Sequence, residues 1–273
     1  MFRISCFADE ISADLLEQIE VMERNQVKYV ELRSVWDNNV LDLSDSELDI
    51  VKNRLFDRDI RVSSIGSPIG KVNIEDDFGK HLDRFKRAVE IALKMESRYI
   101  RIFSFYIKEG EQDKYKNTVI DRMRQMLRIA GENKIVILHE NEAGIYGETS
   151  SRCFRLFDSI NSTGFRAVFD PSNFVVAGED VFNKSFRKLK EHVEYIHVKD
   201  SVKGTGEIVL AGHGDGRIRD ILNELRDKEG MFVSLEPHLS LAEKFRGFTG
   251  PELFEKDLAA LRGILLELKI SFE

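Results

Sequence analysis

The feature of this sequence that most constrains its fold is an alternation kept from end to end. Short runs rich in β-branched and aromatic residues are each followed by a longer stretch with helical spacing of apolar side chains. The strand candidates are Phe2–Phe7, Tyr29–Leu32, Arg61–Ile65, Tyr99–Phe103, Ile135–His139, Ala167–Phe169, Tyr195–Val198 and Phe232–Leu235, eight in all. Between them, Leu15, Ile19 and Met22 share a helical face, as do Leu48, Val51 and Leu55, and Phe85, Val89 and Ala92. Ile120, Met123, Leu127 and Ala130 repeat the pattern, and so do Leu253, Leu258, Leu261 and Leu265. A helix between two strands packs back onto the sheet, so the strands it joins run parallel through right-handed crossovers. Eight such units in 273 residues match the size of one (β/α)₈ barrel. The expected fold is therefore a single-domain TIM barrel over residues 1–273, with an open doubly wound sheet as the alternative.

Local signals agree. Ser12 is expected to open the first helix, Ser44 with Glu47 spells a capping box before the second, and Pro251 after Thr249-Gly250 suits the first turn of the last. No low-complexity tract or charge block divides the chain. The Gly-rich stretch from Ser201 to Gly216 is expected to cover part of a site.

Composition narrows the function classes. With 42% hydrophobic and 33% charged residues the chain is of ordinary soluble globular type. A net charge of −7 speaks against a broad nucleic-acid footprint, while leaving room for a local basic pocket. Cys6 and Cys153 are far apart in sequence and read as reduced thiols. Asp9 and Glu10 come too early for a signal-peptide apolar region, and no apolar run reaches the ~20 residues of a membrane span. The expected setting is cytoplasmic, without a membrane partner; a homo-oligomer is left open.

Polar residues fall where a parallel barrel opens its C-terminal face, the place where this architecture builds active sites. Strand two ends Val30-Glu31-Leu32-Arg33, and strand three runs into Gly66-Ser67-Pro68. Strand five ends His139-Glu140-Asn141, and strand six ends Asp170-Pro171-Ser172-Asn173. Strand seven carries His197-Val198-Lys199-Asp200, and strand eight ends Glu236-Pro237-His238. Glu140, Asp170, His197 and Glu236 cap four neighbouring strands. Three carboxylates and an imidazole converging on one pocket repel unless a cation joins them. That set suits one divalent metal ion, Mn²⁺ favoured, with Mg²⁺, Co²⁺ or Zn²⁺ as alternatives.

With these anchors the chain resembles the xylose-isomerase-like barrel superfamily, which includes sugar phosphate isomerases and epimerases, inosose dehydratases and endonuclease IV-type proteins. The resemblance runs over essentially the whole chain. It rests on His139-Glu140-Asn141-Glu142-Ala143-Gly144, Asp170-Pro171-Ser172-Asn173, His197-Val198-Lys199-Asp200-Ser201, Leu235-Glu236-Pro237 and the Gly-x-Gly turn Gly212-His213-Gly214-Asp215-Gly216. It implies an enzyme acting on a small carbohydrate: an isomerase or epimerase of a sugar, sugar phosphate or related polyol ketone. In that pattern Glu140 and Glu236 are both ligands and the two proton-transferring groups, while Asp170 and His197 chiefly hold the ion. A lyase of the inosose-dehydratase type and a non-catalytic metal-binding barrel are the alternatives. Asn173 departs from the histidine that many relatives carry there. The endonuclease branch needs further histidines and an Asp-x-His that Val202–Gly212 lacks, which argues against a nuclease.

Glu31, Arg33, Trp36, Ser67, Lys71, Asn173, Lys199 and His238 are the substrate-binding candidates. Trp36 could offer an apolar face to a sugar or pack a loop. Arg33 could clamp an anion or pair with Glu31 or Asp37. Lys71 lies in a glycine-containing turn that is not a P-loop. Alternation along the strand puts Lys199 on the same side as His197. His139 alternates away from Glu140 and is expected to be structural. His213 is a candidate to close over the site, and His81 and His192 read as helix-surface residues.

Overall fold

Eight parallel strands close on themselves in sequence order. They are β1 (Arg3–Cys6), β2 (Tyr29–Leu32), β3 (Arg61–Gly66), β4 (Tyr99–Ile102), β5 (Val136–Glu140), β6 (Phe165–Phe169), β7 (Val193–Val198) and β8 (Phe232–Leu235). The computed structural model describes residues 1–239 and 249–273. β8 pairs with β1 in register from Arg3 opposite Phe232 to Cys6 opposite Leu235. That closure rules out the open-sheet alternative and leaves the barrel without a free edge. The protein is thus a single-domain TIM barrel.

Helices Leu15–Arg24, Asp45–Phe56, Phe78–Lys94, Gln112–Glu132, Ser150–Ile160, Ile218–Glu224 and Pro251–Glu267 surround it. The crossover after β6 is broken: a short helix, Pro171–Val176, precedes one π-helical turn at Val181–Phe186 that runs on to Leu189. Ser44 and Glu47 form the capping box, and Pro251 occupies the first turn of the last helix. The first helix differs from expectation. Asp14, not Ser12, is its cap, accepting from the Leu16 and Glu17 N–H groups at 2.9 and 3.0 Å. Ser12 Oγ instead accepts from the Asp14 N–H at 3.1 Å, fixing the approach to the cap.

The period of two along each strand splits the buried residues into two bodies. Outward-facing Ile4, Val30, Ile100, Ile137, Phe169 and Val233 join helix residues such as Leu15, Leu48, Phe85 and Met123 in the main core. Inward-facing Tyr99, Val136, Leu138, Val168 and Tyr195, with Phe232 packed on them, form a separate plug inside the barrel. Each such large side chain contributes about 1.5–3 kcal/mol through burial. His139 faces outward between Phe157 and Phe165, with ring centroids at 6.0 and 6.1 Å, as its alternation implied. His81 departs from the expected surface position. It is buried, and its Nε2 accepts from the Gly70 N–H at 3.0 Å; burial lowers its pKa to about 4 and keeps it neutral. His192 is half-buried and stacks on Phe157 at 4.9 Å. Among the described residues no helix is long and apolar enough to cross a membrane.

Candidate metal centre and active site

The same period builds the site. Two residues beyond each member of the inner plug, the next inward side chain lies nearer the C-terminal mouth. Tyr99 is followed by Arg101, Leu138 by Glu140, Val168 by Asp170, Tyr195 by His197, and His197 in turn by Lys199. Glu31 from β2 and Glu236 just past β8 complete the ring. All are buried.

One potential ligand atom from each of Glu140, Asp170, His197 and Glu236 lies within 4.8 Å of every other, a spacing that fits donors arranged around one ion. His197 Nδ1 is 3.2 Å from Glu140 Oε1 and 3.7 Å from Glu236 Oε2, yet makes no hydrogen bond of acceptable geometry. Asp170 Oδ2 is likewise buried and without an aligned hydrogen bond, although the Lys199 ammonium is only 2.7 Å away. Glu31, Glu140, Asp170 and Glu236 face the side-chain cations Arg101 and Lys199. With Arg33 and its partners Asp9 and Glu10 included, carboxylates still outnumber the Arg and Lys cations, an acidic excess that a divalent ion would reduce. Orphaned donor atoms, their convergence and the charge excess all fit a metal. This set could hold an oxygen-preferring divalent ion with one imidazole.

The protonation pattern has the same origin. Burial disfavours a charged His197, but Glu31 and Glu140 outweigh it and raise its pKa to about 10. Burial raises Glu140, yet His197 and Arg101 prevail and bring it down to about 2. Asp170 is pushed up to about 6 by burial and by Glu140 and Glu236, despite Lys199. Burial opposes charge on Lys199 as well, but Asp170, Glu236 and Glu140 hold it above the ordinary amine range. The buried acidic groups thus hold His197 and Lys199 protonated and push Asp170 up, while the nearby cations keep Glu140 ionised.

Neighbouring residues hold these groups in place. Glu31 Oε2 lies 3.1 Å from His197 Nε2, leaving Nδ1 turned toward the other ligand candidates. Phe7 meets the His197 ring edge-on at 5.1 Å. Asn141 ties β5 to β6: its Nδ2 donates to the Asp170 carbonyl at 2.9 Å, and its Oδ1 accepts from the Asp170 N–H at 3.1 Å. Asn173 donates through Nδ2 to the Asn141 carbonyl at 2.8 Å and lies 3.5 Å from Glu140 Oε1. Arg33 donates to Asp9 at 2.6 Å, Glu10 at 2.7 Å and Glu236 at 2.8 Å. The partners considered from sequence, Glu31 and Asp37, are thus not its partners. His238 Nε2 is 3.1 Å from both Glu236 and Glu10.

The remaining candidates lie further out. Lys71 pairs with Glu142 at 3.0 Å, above the Phe103 ring. Ser67 is buried, and its hydroxyl donates to the Arg101 carbonyl at 2.6 Å, so it braces the strand that carries Arg101. Trp36 and Asp37, at φ 56° and 60°, form the two-residue tip of a hairpin pairing Ser34–Val35 with Asn38–Asn39. Both residues in the left-handed region is the requirement of a type I′ turn. The Trp36 ring packs against the main core, the packing alternative of its two readings.

The stretch after β7 is a strap. Asp200 accepts from the N–H groups of Gly212 (2.9 Å), Gly214 (3.0 Å) and Gly216 (2.8 Å). A Cβ at Gly214 or Gly216 would lie 2.5 or 2.7 Å from Asp200 Oδ1, so the repeated glycines are a packing requirement. His213 is exposed, and among the described residues no hydrogen bond or ion pair joins it to the cluster.

Sequence reasoning missed Arg101, Asp9 and Glu10. Arg101 had a usable signal, a charged residue at the inward position of an otherwise apolar strand. Its Nε is 3.3 Å from Glu140 and 3.7 Å from Glu31. Asp9 and Glu10 lie in the turn after β1 and carried no such signal.

A closed parallel barrel with a buried carboxylate and histidine set at its C-terminal mouth defines a class of TIM barrels whose mouth could hold a metal ion. Within it, this chain belongs to the xylose isomerase-like TIM barrel family, whose profile matches residues 19–264. Among solved structures it is similar to a D-tagatose 3-epimerase-like protein, at 15% identity and TM-score 0.78 over 98% of each chain. It is also similar to the IOLI protein crystallised with a zinc atom, at 16% identity and TM-score 0.78 over 97% of this chain and 99% of that one. A third is the probable 3-DHS dehydratase AsbF of Bacillus anthracis, at 16% identity and TM-score 0.73 over 95% of this chain and 98% of that one. These likenesses establish a shared fold. No curated protein sequence matched the chain.

Proposed function

We propose that the protein is a metal-dependent isomerase or epimerase of a sugar, sugar phosphate or related polyol ketone. The observation that carries this reading is the buried convergence of Glu140, Asp170, His197 and Glu236 on one point. A divalent ion held there, Mn²⁺ in first place and Mg²⁺, Co²⁺ or Zn²⁺ otherwise, would polarise the carbonyl and hydroxyl oxygens of a bound substrate. Asp170 and His197 serve as ligands, with Glu31 fixing the imidazole. Glu140 and Glu236, on β5 and just past β8, act as the two proton carriers. One takes the proton from the carbon beside the carbonyl. The other returns it to the opposite face for epimerisation, or to the neighbouring carbon for isomerisation. Arg101 beside Glu140, and Arg33 and Lys199 beside Glu236, keep both carboxylates ionised and ready to accept. Asn173, Lys71 and His238 orient substrate hydroxyls or an anionic group at the mouth. Glu31, Arg33, Ser67 and Trp36 act from behind this first layer.

A lyase shares the first step and differs in the second, where a β-hydroxyl leaves instead of the carbon being reprotonated. The Lys199 ammonium beside the cluster supports this second reading, because its N–H groups can hydrogen-bond the departing oxygen and stabilise its developing charge. Neither reading calls for a nucleic-acid or membrane partner. The setting proposed is cytoplasmic, with homo-oligomerisation compatible with either. The deciding experiment incubates the Mn²⁺-loaded protein in D₂O with a panel of ketoses, sugar phosphates and polyol ketones. Solvent deuterium in a product of unchanged formula supports the isomerase or epimerase. Loss of water establishes the lyase, and no deuterium uptake or turnover across the panel refutes both.

A further inference from the structure

The opposite end of the barrel holds a second concave site, a depression of about 820 Å³ at the N-terminal mouth. Its size falls in the range of small-molecule pockets. The inner plug separates it from the candidate metal centre. Tyr195 lies between, edge-on to His197 at 5.8 Å on one side and 5.6 Å from Phe232 on the other, with its hydroxyl 2.9 Å from Ser63 Oγ.

Two features of the wall are chemically specific. The first is aromatic: Tyr29, Tyr99 and Phe232 line the depression, with Phe232 centroids 5.1 Å from Tyr29 and 6.3 Å from Tyr99 in edge-to-face geometry. The second is cationic. Most charged groups around the mouth are already engaged: Arg3 with Glu273, Arg61 with Asp59, Glu96 with Lys52, and Glu194 with the Tyr99 hydroxyl at 2.8 Å. Arg98 and Lys228 are not. Among the described residues neither has a carboxylate at ion-pair distance. Arg98 has only the Tyr99 ring, 5.6 Å from its Cζ. Lys228 is half-buried and donates to the Val193 carbonyl at 2.6 Å, which leaves further N–H donors of its ammonium unused. Glu229 is an exposed lining residue and offers neither of them an ion pair.

We propose that this depression is a binding site for a small planar organic anion, an aromatic ring carrying a carboxylate or phosphate. The ring would lie against Tyr29, Tyr99 and Phe232, where edge and face contacts reward a flat π-system. The anionic group would take the donors of Arg98 and Lys228, in charge-assisted hydrogen bonds stronger than those between neutral partners. Two cations with no carboxylate at ion-pair distance among the described residues, beside aromatic rings, favour such a ligand over a neutral sugar.

Isothermal titration of the intact protein with naphthoate and with naphthyl phosphate tests this, with naphthalenemethanol as the neutral twin. Saturable binding of at least one anion is expected, with the neutral twin binding at least roughly tenfold more weakly. Arg98→Ala and Lys228→Met should each weaken the anion by about tenfold, equivalent to about 1.4 kcal/mol. Lys71→Ala, at the other mouth, should leave the affinity unchanged. Failure of both anions to saturate below about 10 mM, where binding is under ~3 kcal/mol, overturns the proposal. So does wild-type affinity in both the Arg98 and Lys228 variants, or loss of binding in Lys71→Ala.

Discussion

Asp257 offers a stability test whose size can be worked out from its surroundings. It lies on the helix Pro251–Glu267, is 1% exposed, and accepts through Oδ1 from the Ala211 N–H at 2.6 Å. It therefore pins the strap after β7 to the last helix. Burial, with repulsion from Asp200 and Glu10, raises its pKa from 3.8 to about 7 despite that hydrogen bond. A carboxyl whose folded-state pKa is raised binds its proton more tightly folded than unfolded. Stability is therefore full below the unfolded value, falls as pH rises from about 4, and is constant again above about 7. Roughly three pKa units at 1.36 kcal/mol each set an upper bound of about 4 kcal/mol, and relaxation of the strap should bring this to ~2–4. Asp257→Asn keeps the acceptor oxygen and removes the charge. The variant should match wild type near pH 4 and exceed it by ~2–4 kcal/mol at pH 8, a rise in Tm of about 3–7 °C for a domain of this size. Urea unfolding of both proteins across that range is the assay. Parallel stability curves, or a deficit for the variant at pH 8, would refute the reasoning.

The other predictions concern the site and its strap. Metal analysis after dialysis should give about one divalent ion per chain, since Glu140, Asp170, His197 and Glu236 are the one such ligand group among the described residues; a firm two or three sinks the single-ion reading. Asp170→Asn and His197→Ala should weaken metal binding with the circular dichroism spectrum unchanged, and wild-type affinity in either would remove that residue from the ligand set. Glu140→Gln and Glu236→Gln should each lower turnover by on the order of 10²–10⁴ while retaining more metal binding than activity, measured by kinetics beside metal titration. If both stay within a few-fold of wild type, proton transfer lies elsewhere, with Lys199 the next residue to test. Gly214→Ala should destabilise the protein by about 1–3 kcal/mol in urea unfolding, because its Cβ would lie 2.5 Å from Asp200 Oδ1; an unaffected variant would contradict the packing account of the strap.

The repeat of strand and amphipathic helix was legible in the chain because each unit carries its own periodicity. Its count of eight pointed to closure, and the register of β1 with β8 settled it. The positions of Glu140, Asp170, His197 and Glu236 followed the same logic. Strand ends are marked by local sequence, and a parallel barrel brings neighbouring ends together. The strap's glycines were visible as a pattern, but their reason was not, since Asp200 meets them through backbone groups on the far side of a loop. Trp36 shows the limit of composition: its place at a hairpin tip, with the ring packed on the core, was not marked by the sequence pattern.

The sequence by itself determined the architecture and the inward row of polar residues, because alternation along a strand is a local property of the backbone. Only the tertiary structure decided which charges meet. Arg33 reaches Asp9, Glu10 and Glu236 rather than nearby Glu31 or Asp37, and Arg101 settles between Glu31 and Glu140. Ion-pair partners in this barrel come from different strand ends, 23 to 203 residues apart for Arg33. Burial and mutual distance, which fix both pairing and pKa, exist only once the strands have closed.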